Sequence, residues 1–179
     1  MKKIFAILLL SVISLPFVAA QESVFLKGDK VVNAGIGFGS IVYNLAGWKT
    51  AVPPISASFE MGIVDGILEK ATVGVGGYIG YSSYKLYDSW QESNIIVAAR
   101  GSFHYPLVDK LDTYAGVIVG YNISNGKELI AGYNYNSSGS SAVFSPFVGG
   151  RYYFTEKIAG MAELGRAISW INVGLAFKL

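Results

Sequence analysis

The chain has 179 residues, no cysteine and a formal net charge of +2. The missing cysteine excludes a disulfide framework, thiol catalysis and thiolate metal sites. The composition is 52% hydrophobic with a mean hydropathy of +0.43, and no basic patch with interleaved aromatics marks a nucleic-acid partner.

Residues 1–20 read as a cleaved export signal. Lys2 and Lys3 form a basic start, and Ile4 to Phe17 is an apolar run broken only by Ser11, Ser14 and Pro16. Val18-Ala19-Ala20 supplies the small residues that precede cleavage. The run is shorter than the ~20 residues of a membrane-spanning helix. Cleavage before Gln21 leaves residues 21–179 as one domain. Two of the 14 Lys and Arg lie in the signal, and the rest match the 12 Asp and Glu in number. The basic balance of the whole chain therefore says nothing about partners. Beyond residue 20 no apolar stretch is long enough for a spanning helix. A hydrophobic exported chain has one other way across a bilayer: a closed β-barrel, in which every backbone group pairs between strands.

Period-two alternation predicts eight antiparallel strands, at 31–44, 54–64, 71–84, 93–105, 112–123, 141–154, 158–166 and 169–179. The second places Ile55, Ala57, Phe59, Met61 and Ile63 opposite Ser56, Ser58, Glu60 and Gly62. The third places Val73, Val75 and Ile79 opposite Thr72, Gly74 and Gly76. In the fourth, Ile95, Val97, Ala99 and Phe103 oppose Ile96, Ala98, Arg100, Ser102 and His104. In the last, Ile171, Val173, Leu175, Phe177 and Leu179 oppose Asn172, Gly174, Ala176 and Lys178. Most of these strands reach the ~9–11 residues that a tilted strand needs to cross the hydrocarbon. The face opposite the apolar one is rich in Gly and Ser and poor in charge. It suits a crowded lumen better than a watered surface, so the apolar face is expected to meet lipid.

The predicted connections after strands 1, 3, 5 and 7 are about 9, 8, 17 and 2 residues long, against about 6, 6 and 3 after strands 2, 4 and 6. The second set carries Asp65-Gly66, Pro106 to Asp109 and Thr155-Glu156-Lys157 as turns. Short turns at the periplasm and long loops outside would leave both termini periplasmic. Trp48, Trp90 and Trp170 all fall at the predicted exterior ends, and Phe103, Tyr105, Tyr152 and Phe154 at the other, as two interfacial girdles.

The closing segment Asn172-Val173-Gly174-Leu175-Ala176-Phe177-Lys178-Leu179 resembles the C-terminal signal of outer-membrane barrels: a polar residue, a Gly two further on, an aromatic, and a final hydrophobic residue. Ser145-Pro146-Phe147-Val148-Gly149-Gly150-Arg151-Tyr152-Tyr153-Phe154-Thr155, followed by Ala162-Glu163-Leu164-Gly165, looks like strands 6 and 7 of the outer membrane protein A/X-like small barrels. The resemblance implies an eight-stranded transmembrane barrel in a Gram-negative outer membrane, in contact with lipid and lipopolysaccharide. It also implies assembly by the barrel-assembly machinery, which would read Asn172, Gly174, Phe177 and Leu179. The final Leu179 stands where the family usually has an aromatic.

Candidate chemistry lies on the inward faces. Glu60, Arg100, Arg151, Glu163 and Lys178 share inward parity near the periplasmic strand ends, and opposite charges in so narrow a space are expected to pair. An ion-pair network closing the lumen is the expected outcome, with a gate for water or small ions as the alternative. His104 is the one histidine. It sits at the wrong end for a lipid-modifying site, and no enzyme, cofactor or metal is expected. Gly35, Gly37 and Gly39 alternate in a strand and fail the dinucleotide spacing. Three roles follow: a structural or interaction barrel whose loops meet an extracellular partner, a narrow channel, or a soluble lipid-binding barrel that would extract without detergent.

Processing after Ala20 is expected. N-terminal sequencing of the membrane-extracted protein should read Gln-Glu-Ser, and retention of Met1 to Ala20 would overturn it.

Overall fold

A computed structural model describes residues 23–39, 47–130, 132 and 135–179. The expected signal, 1–20, lies outside the described residues. Among the described residues eight strands form one closed antiparallel barrel. They are β1 (Lys30–Phe38), β2 (Trp48–Ile67), β3 (Ala71–Leu86), β4 (Trp90–Val108), β5 (Leu111–Glu128), β6 (Asn136–Tyr153), β7 (Ile158–Gly165) and β8 (Ile171–Lys178). Each pairs with its sequence neighbours, and β8 returns to β1 with Val32 opposite Phe177 and Gly35 opposite Gly174. The two ends of the barrel differ in what they carry. The terminal end holds the start of β1 and the end of β8; the loop end holds the end of β1 and the start of β2.

The register explains the tilt. Partners traced round the ring from Phe38 run through Ile171, Leu164, Val148, Ala115, Phe103, Val73 and Val64. Val64 lies three positions beyond Met61, the partner of Lys30, so the path returns to the first strand's chain roughly ten residues below Phe38, the stagger that lets an eight-stranded sheet close.

The outward faces are apolar and bare. Ile79, Val97, Val119 and Leu164 are each more than half exposed, while their inward neighbours Tyr78, Ile96, Ile118 and Glu163 are buried. A soluble lipid-binding barrel would show the reverse. A continuous apolar belt around a sheet without edges is a lipid-facing surface.

Five strands run longer than expected. β2, β4, β5 and β6 reach 20, 19, 18 and 18 residues, and β3 reaches 16. The polar stretch read as a long loop after strand 5 pairs instead as two strands, with Ser124 opposite Gly139 and Lys127 opposite Asn136. Polar residues and glycine occupy both faces there, so the sequence carries no period-two signal to reveal a strand. Pro53-Pro54 sits inside β2, where register shifts between Thr50 and Ile55 accommodate the missing N–H donors.

The first short turn also moves. Asp65-Gly66 is not the reversal but an irregularity of β2, with Gly66 at φ +72°, and the chain turns at Leu68-Glu69-Lys70. Leu68 and Glu69 both take positive φ, as do Tyr87 and Asp88 at the β3–β4 turn, the pair of left-handed residues that matches strand twist in a tight hairpin. The three tryptophans share one end but not one level. Trp170 donates its backbone N–H to Gly39 at the rim where β1 and β8 stop. Trp48 and Trp90 both lie opposite Leu86 at the tips of the longer strands, well beyond that rim.

Val117, Val173 and Leu175 point outward from the middle of the belt. Arg at Val117 or Val173 should lower stability by ~2–4 kcal/mol, read by urea unfolding in lipid vesicles. Spin labels at the two positions should report acyl-chain contact, and water-like accessibility at both would show the faces reversed. Gly174→Ala should fail for another reason, because a Cβ there meets the Ala34 carbonyl on β1.

Candidate functional site

The inward parity of five strands converges on one layer of charge. Glu60 comes from β2, Arg100, Ser102 and His104 from β4, Asp112 and Tyr114 from β5, Arg151 from β6 and Glu163 from β7. All are buried. Arg100 Nη2 donates to Glu163 Oε1 at 2.7 Å, and Tyr114 Oη donates to the same oxygen at 2.8 Å. Arg151 is bonded to Glu60 and lies 3.4 Å from Asp112. Arg100 Nε stands 3.8 Å from Glu60. His104 links two carboxylates, with Nδ1 2.8 Å from Asp112 Oδ1 and Nε2 3.2 Å from Glu60 Oε1. Ser102 Oγ bonds Glu60 and lies 2.9 Å from His104 Nε2.

Aromatic faces complete the layer. Arg100 lies 4.1 Å from the Phe147 ring centroid and Arg151 4.7 Å from that of Tyr114, which gives the guanidinium planes partners beyond the carboxylates. Glu60, Arg100, Arg151 and Glu163 are thus brought together as one cluster. Lys178 does not join them. Its ammonium pairs with Asp29 at 2.7 Å and donates to the Val24 carbonyl at 3.0 Å, because it lies lower, where the chain enters the barrel.

That entry segment, Ser23 to Asp29, folds across the terminal mouth. Phe25 is fully buried against Val31, Tyr153, Ala159, Met161 and Ala176, and its ring centroid is 4.3 Å from that of His104. The backbone is tied down by the Gly28 N–H donating to the Gly62 carbonyl and the Gly62 N–H donating to the Asp29 carbonyl. Gly62 is required for this approach, since a Cβ would strike the Leu26 carbonyl. Above the charge layer lies an apolar one of Tyr78, Ile96, Ile118, Phe147 and Ile168. The void between the two has about 20 Å³, room for about one water. Above that the barrel opens at the loop end into a vestibule of about 490 Å³.

Asp112, His104 and Ser102 stand in the order of a carboxylate–imidazole–hydroxyl relay. The hydroxyl is shared with the Glu60 carboxylate, and Phe25 covers the imidazole. The chain of bonds therefore serves to position Glu60 between two arginines. Among the described residues no group of three or more His, Asp and Glu side chains is spaced to hold a metal.

Comparison with solved structures places this architecture. The barrel is similar to OprG of Pseudomonas aeruginosa, with TM-score 0.56 and 11% identity over 88% of this chain and 99% of that one. It is similar to the N-terminal β-barrel domain of P. aeruginosa OprF, with TM-score 0.53 and 12% identity over 86% and 98%. It is also similar to Ail, the attachment invasion locus protein of Yersinia pestis, with TM-score 0.53 and 10% identity over 86% and 96%.

The chain has the fold of the small outer-membrane barrels.

No protein-family profile matches the sequence, and no curated protein matches it significantly. The likeness is therefore one of backbone, and the side chains of this barrel must be read on their own. Of the residues in the closing segment, Asn172 turns inward and donates to Ser56 Oγ at 2.6 Å. Gly174 packs on β1, while Phe177 and Leu179 face outward.

Sequence reasoning missed Asp112, Tyr114 and Phe25. Asp112 and Tyr114 carry inward parity on β5, the same signal that singled out Glu60. Phe25 lies before the first strand, where no periodicity operates.

Removing one partner of a buried pair should cost ~3–5 kcal/mol, and removing both much less. Urea unfolding of Glu163→Ala, Arg100→Ala and the double variant in vesicles should therefore be non-additive, as should the cycle of Glu60 with Arg151. Near-neutral single variants whose effects add would show separately solvated side chains.

Proposed function

We propose that this chain is an outer-membrane barrel with a structural or surface-interaction role, its lumen closed by the buried ion-pair network and its termini at the periplasm. The observation that carries the reading is the filling of the interior. Among the described residues Phe25, the charge layer and the Tyr78–Ile118–Phe147 layer follow one another, and the void between Glu163 and the Tyr78–Ile118–Phe147 layer holds about one water. Eight strands leave an interior just wide enough for side chains, so conduction would require the Arg100–Glu163 and Arg151–Glu60 pairs to part. The apolar belt supports a place in lipid, and the fold shared with OprG, OprF and Ail supports the outer membrane.

The interaction role draws on the extended strands. The hairpins of β2 to β6 carry Trp48, Trp90 and the Ser/Asn-rich pairing of β5 with β6 beyond the rim. Among the described residues their outermost strands, β2 and β6, present unpaired edges there, since β1 and β7 pair with them only lower down. Ail, a structural neighbour, has been solved with the heparin analogue sucrose octasulfate. A surface partner for this chain would meet the loop end.

Cell fractionation should place the protein in the outer membrane, and its gel mobility should differ before and after boiling. In planar bilayers the purified barrel should be silent. Arg100→Ala with Arg151→Ala should raise conductance if the layer is the seal. Steady conductance in the unaltered protein would replace this reading with the narrow-channel one.

A further inference from the structure

The vestibule at the loop end is built differently from the sealed layers beneath it. Its volume, about 490 Å³, lies within the range of small-molecule sites. The walls carry Ser82, Asn94, Asn122 and Ser141, with Ile96 and Ile168 among the apolar lining. Among the described residues Arg166 is its one charged group, and no carboxylate lines it.

Two amides face each other across β4 and β5. Asn122 Nδ2 donates to Asn94 Oδ1 at 3.0 Å. That bond leaves Asn94 Nδ2 and Asn122 Oδ1 as buried atoms without a hydrogen-bond partner among the described residues; Asn94 is 6% exposed and Asn122 half-buried. Exchanging the two ends of both amides leaves the same inventory, one free donor beside one free acceptor. A buried polar group without a partner costs roughly 1–3 kcal/mol, so the pair is suited to a visitor that both donates and accepts.

We propose that this vestibule binds a neutral saccharide unit, held by the Asn94–Asn122 amide pair. A sugar hydroxyl is donor and acceptor at once, and adjacent hydroxyls on a pyranose match both free amide atoms, which lie just beneath the vestibule wall and reach it by a turn of the two side chains. Ser82 and Ser141 supply further hydroxyl partners on the same walls. The aliphatic Ile96 and Ile168 receive the C–H face of the ring. The absence of carboxylates among the described lining residues disfavours cationic ligands, and a lone arginine gives an anionic one a single partner. The site does not depend on the lumen being sealed or on which end faces outward; orientation decides only the source of the sugar, either free in solution or attached to lipopolysaccharide.

The test is NMR of the full barrel in lipid nanodiscs, following the side-chain amide signals of Asn94 and Asn122. Methyl glucoside and methyl galactoside are titrated, with sodium sulfate and triglycine as competing classes. A second set of nanodiscs contains lipopolysaccharide with its core sugars or lipid A alone. Saturable amide shifts with either glycoside support a free sugar, and shifts only with the sugar-bearing lipopolysaccharide support an attached one. Asn94→Ala should weaken the response about tenfold, the loss of one good hydrogen bond to a buried group. Asn94→Asp keeps the shape and the acceptor but loses the donor, and it should weaken binding likewise if the alanine variant fails to insert. Shifts with sulfate or triglycine alone, no shift with any sugar, or a glycoside response unchanged in both variants would overturn the proposal.

Discussion

Backbone amides within an apolar band have no water to bind, so every strand crossing it must be paired along both edges. Here that condition is met by the return of β8 to β1, with its run of partners from Val31–Lys178 to Phe38–Ile171. Closure at eight strands then dictates the interior. The space inside is only as wide as facing side chains, so each inward position must be small where the sheet is tight and large where it gapes. Gly174, with no room for a Cβ, and Arg151, among the largest fully buried side chains, are two answers to that one condition.

Charge is a costly filling, and its arrangement reflects the cost. Leucines would fill the same volume with no desolvation penalty, and replacing buried ion pairs with apolar groups often stabilises a protein. What the charges add is long reach. Arg151 bonds Glu60 across 91 positions of sequence and Arg100 bonds Glu163 across 63, so β2, β4, β6 and β7 are joined through the middle as well as along their edges. Hydrogen bonds of this kind have one correct partner each, whereas apolar contacts tolerate a shift of register. A one-residue slip of any of these strands would turn its charge outward into lipid, and the cluster thereby penalises every misregistered ring.

The sequence was most legible where one face meets lipid and the other is crowded. β8 could be read residue by residue because Val173, Leu175 and Phe177 alternate with Asn172, Gly174 and Ala176 under two opposed constraints. The same rule picked Glu60, Arg100, Arg151 and Glu163 from parity alone. It failed where both faces carry polar residues or glycine, as where β5 beyond Ser124 pairs with the stretch from Asn136 to Gly139, because no contrast between faces survives in the sequence there. It failed for Lys178, whose inward parity is real but whose level is set by Asp29 on a segment that has no period. It failed at Asp65-Gly66, where a residue pair that favours reversals stands at an irregularity of the strand, and two residues with side chains, Leu68 and Glu69, took the left-handed conformation instead.

The two ends of the lumen differ in a way that follows from the lengths of the strands. At the terminal end β1 and β8 run to the edge, and the chain leading into β1 has a wall to lie against, so Phe25 can be driven home between Val31 and Met161. At the loop end, among the described residues, β1, β7 and β8 end early while β2 to β6 continue. Among the described residues the wall is therefore incomplete above Trp170, and the vestibule reaches down to Ile168. Ser82 and Asn94 lie buried at the foot of this opening and Asn122 half-buried beside them, with one amide atom of each asparagine left unpaired among the described residues. The same residues one layer lower would be isolated between Phe147 and Tyr114. Unequal strand length thus separates a dry half, where every charge needs a protein partner, from a wet half, where a free amide can wait for one.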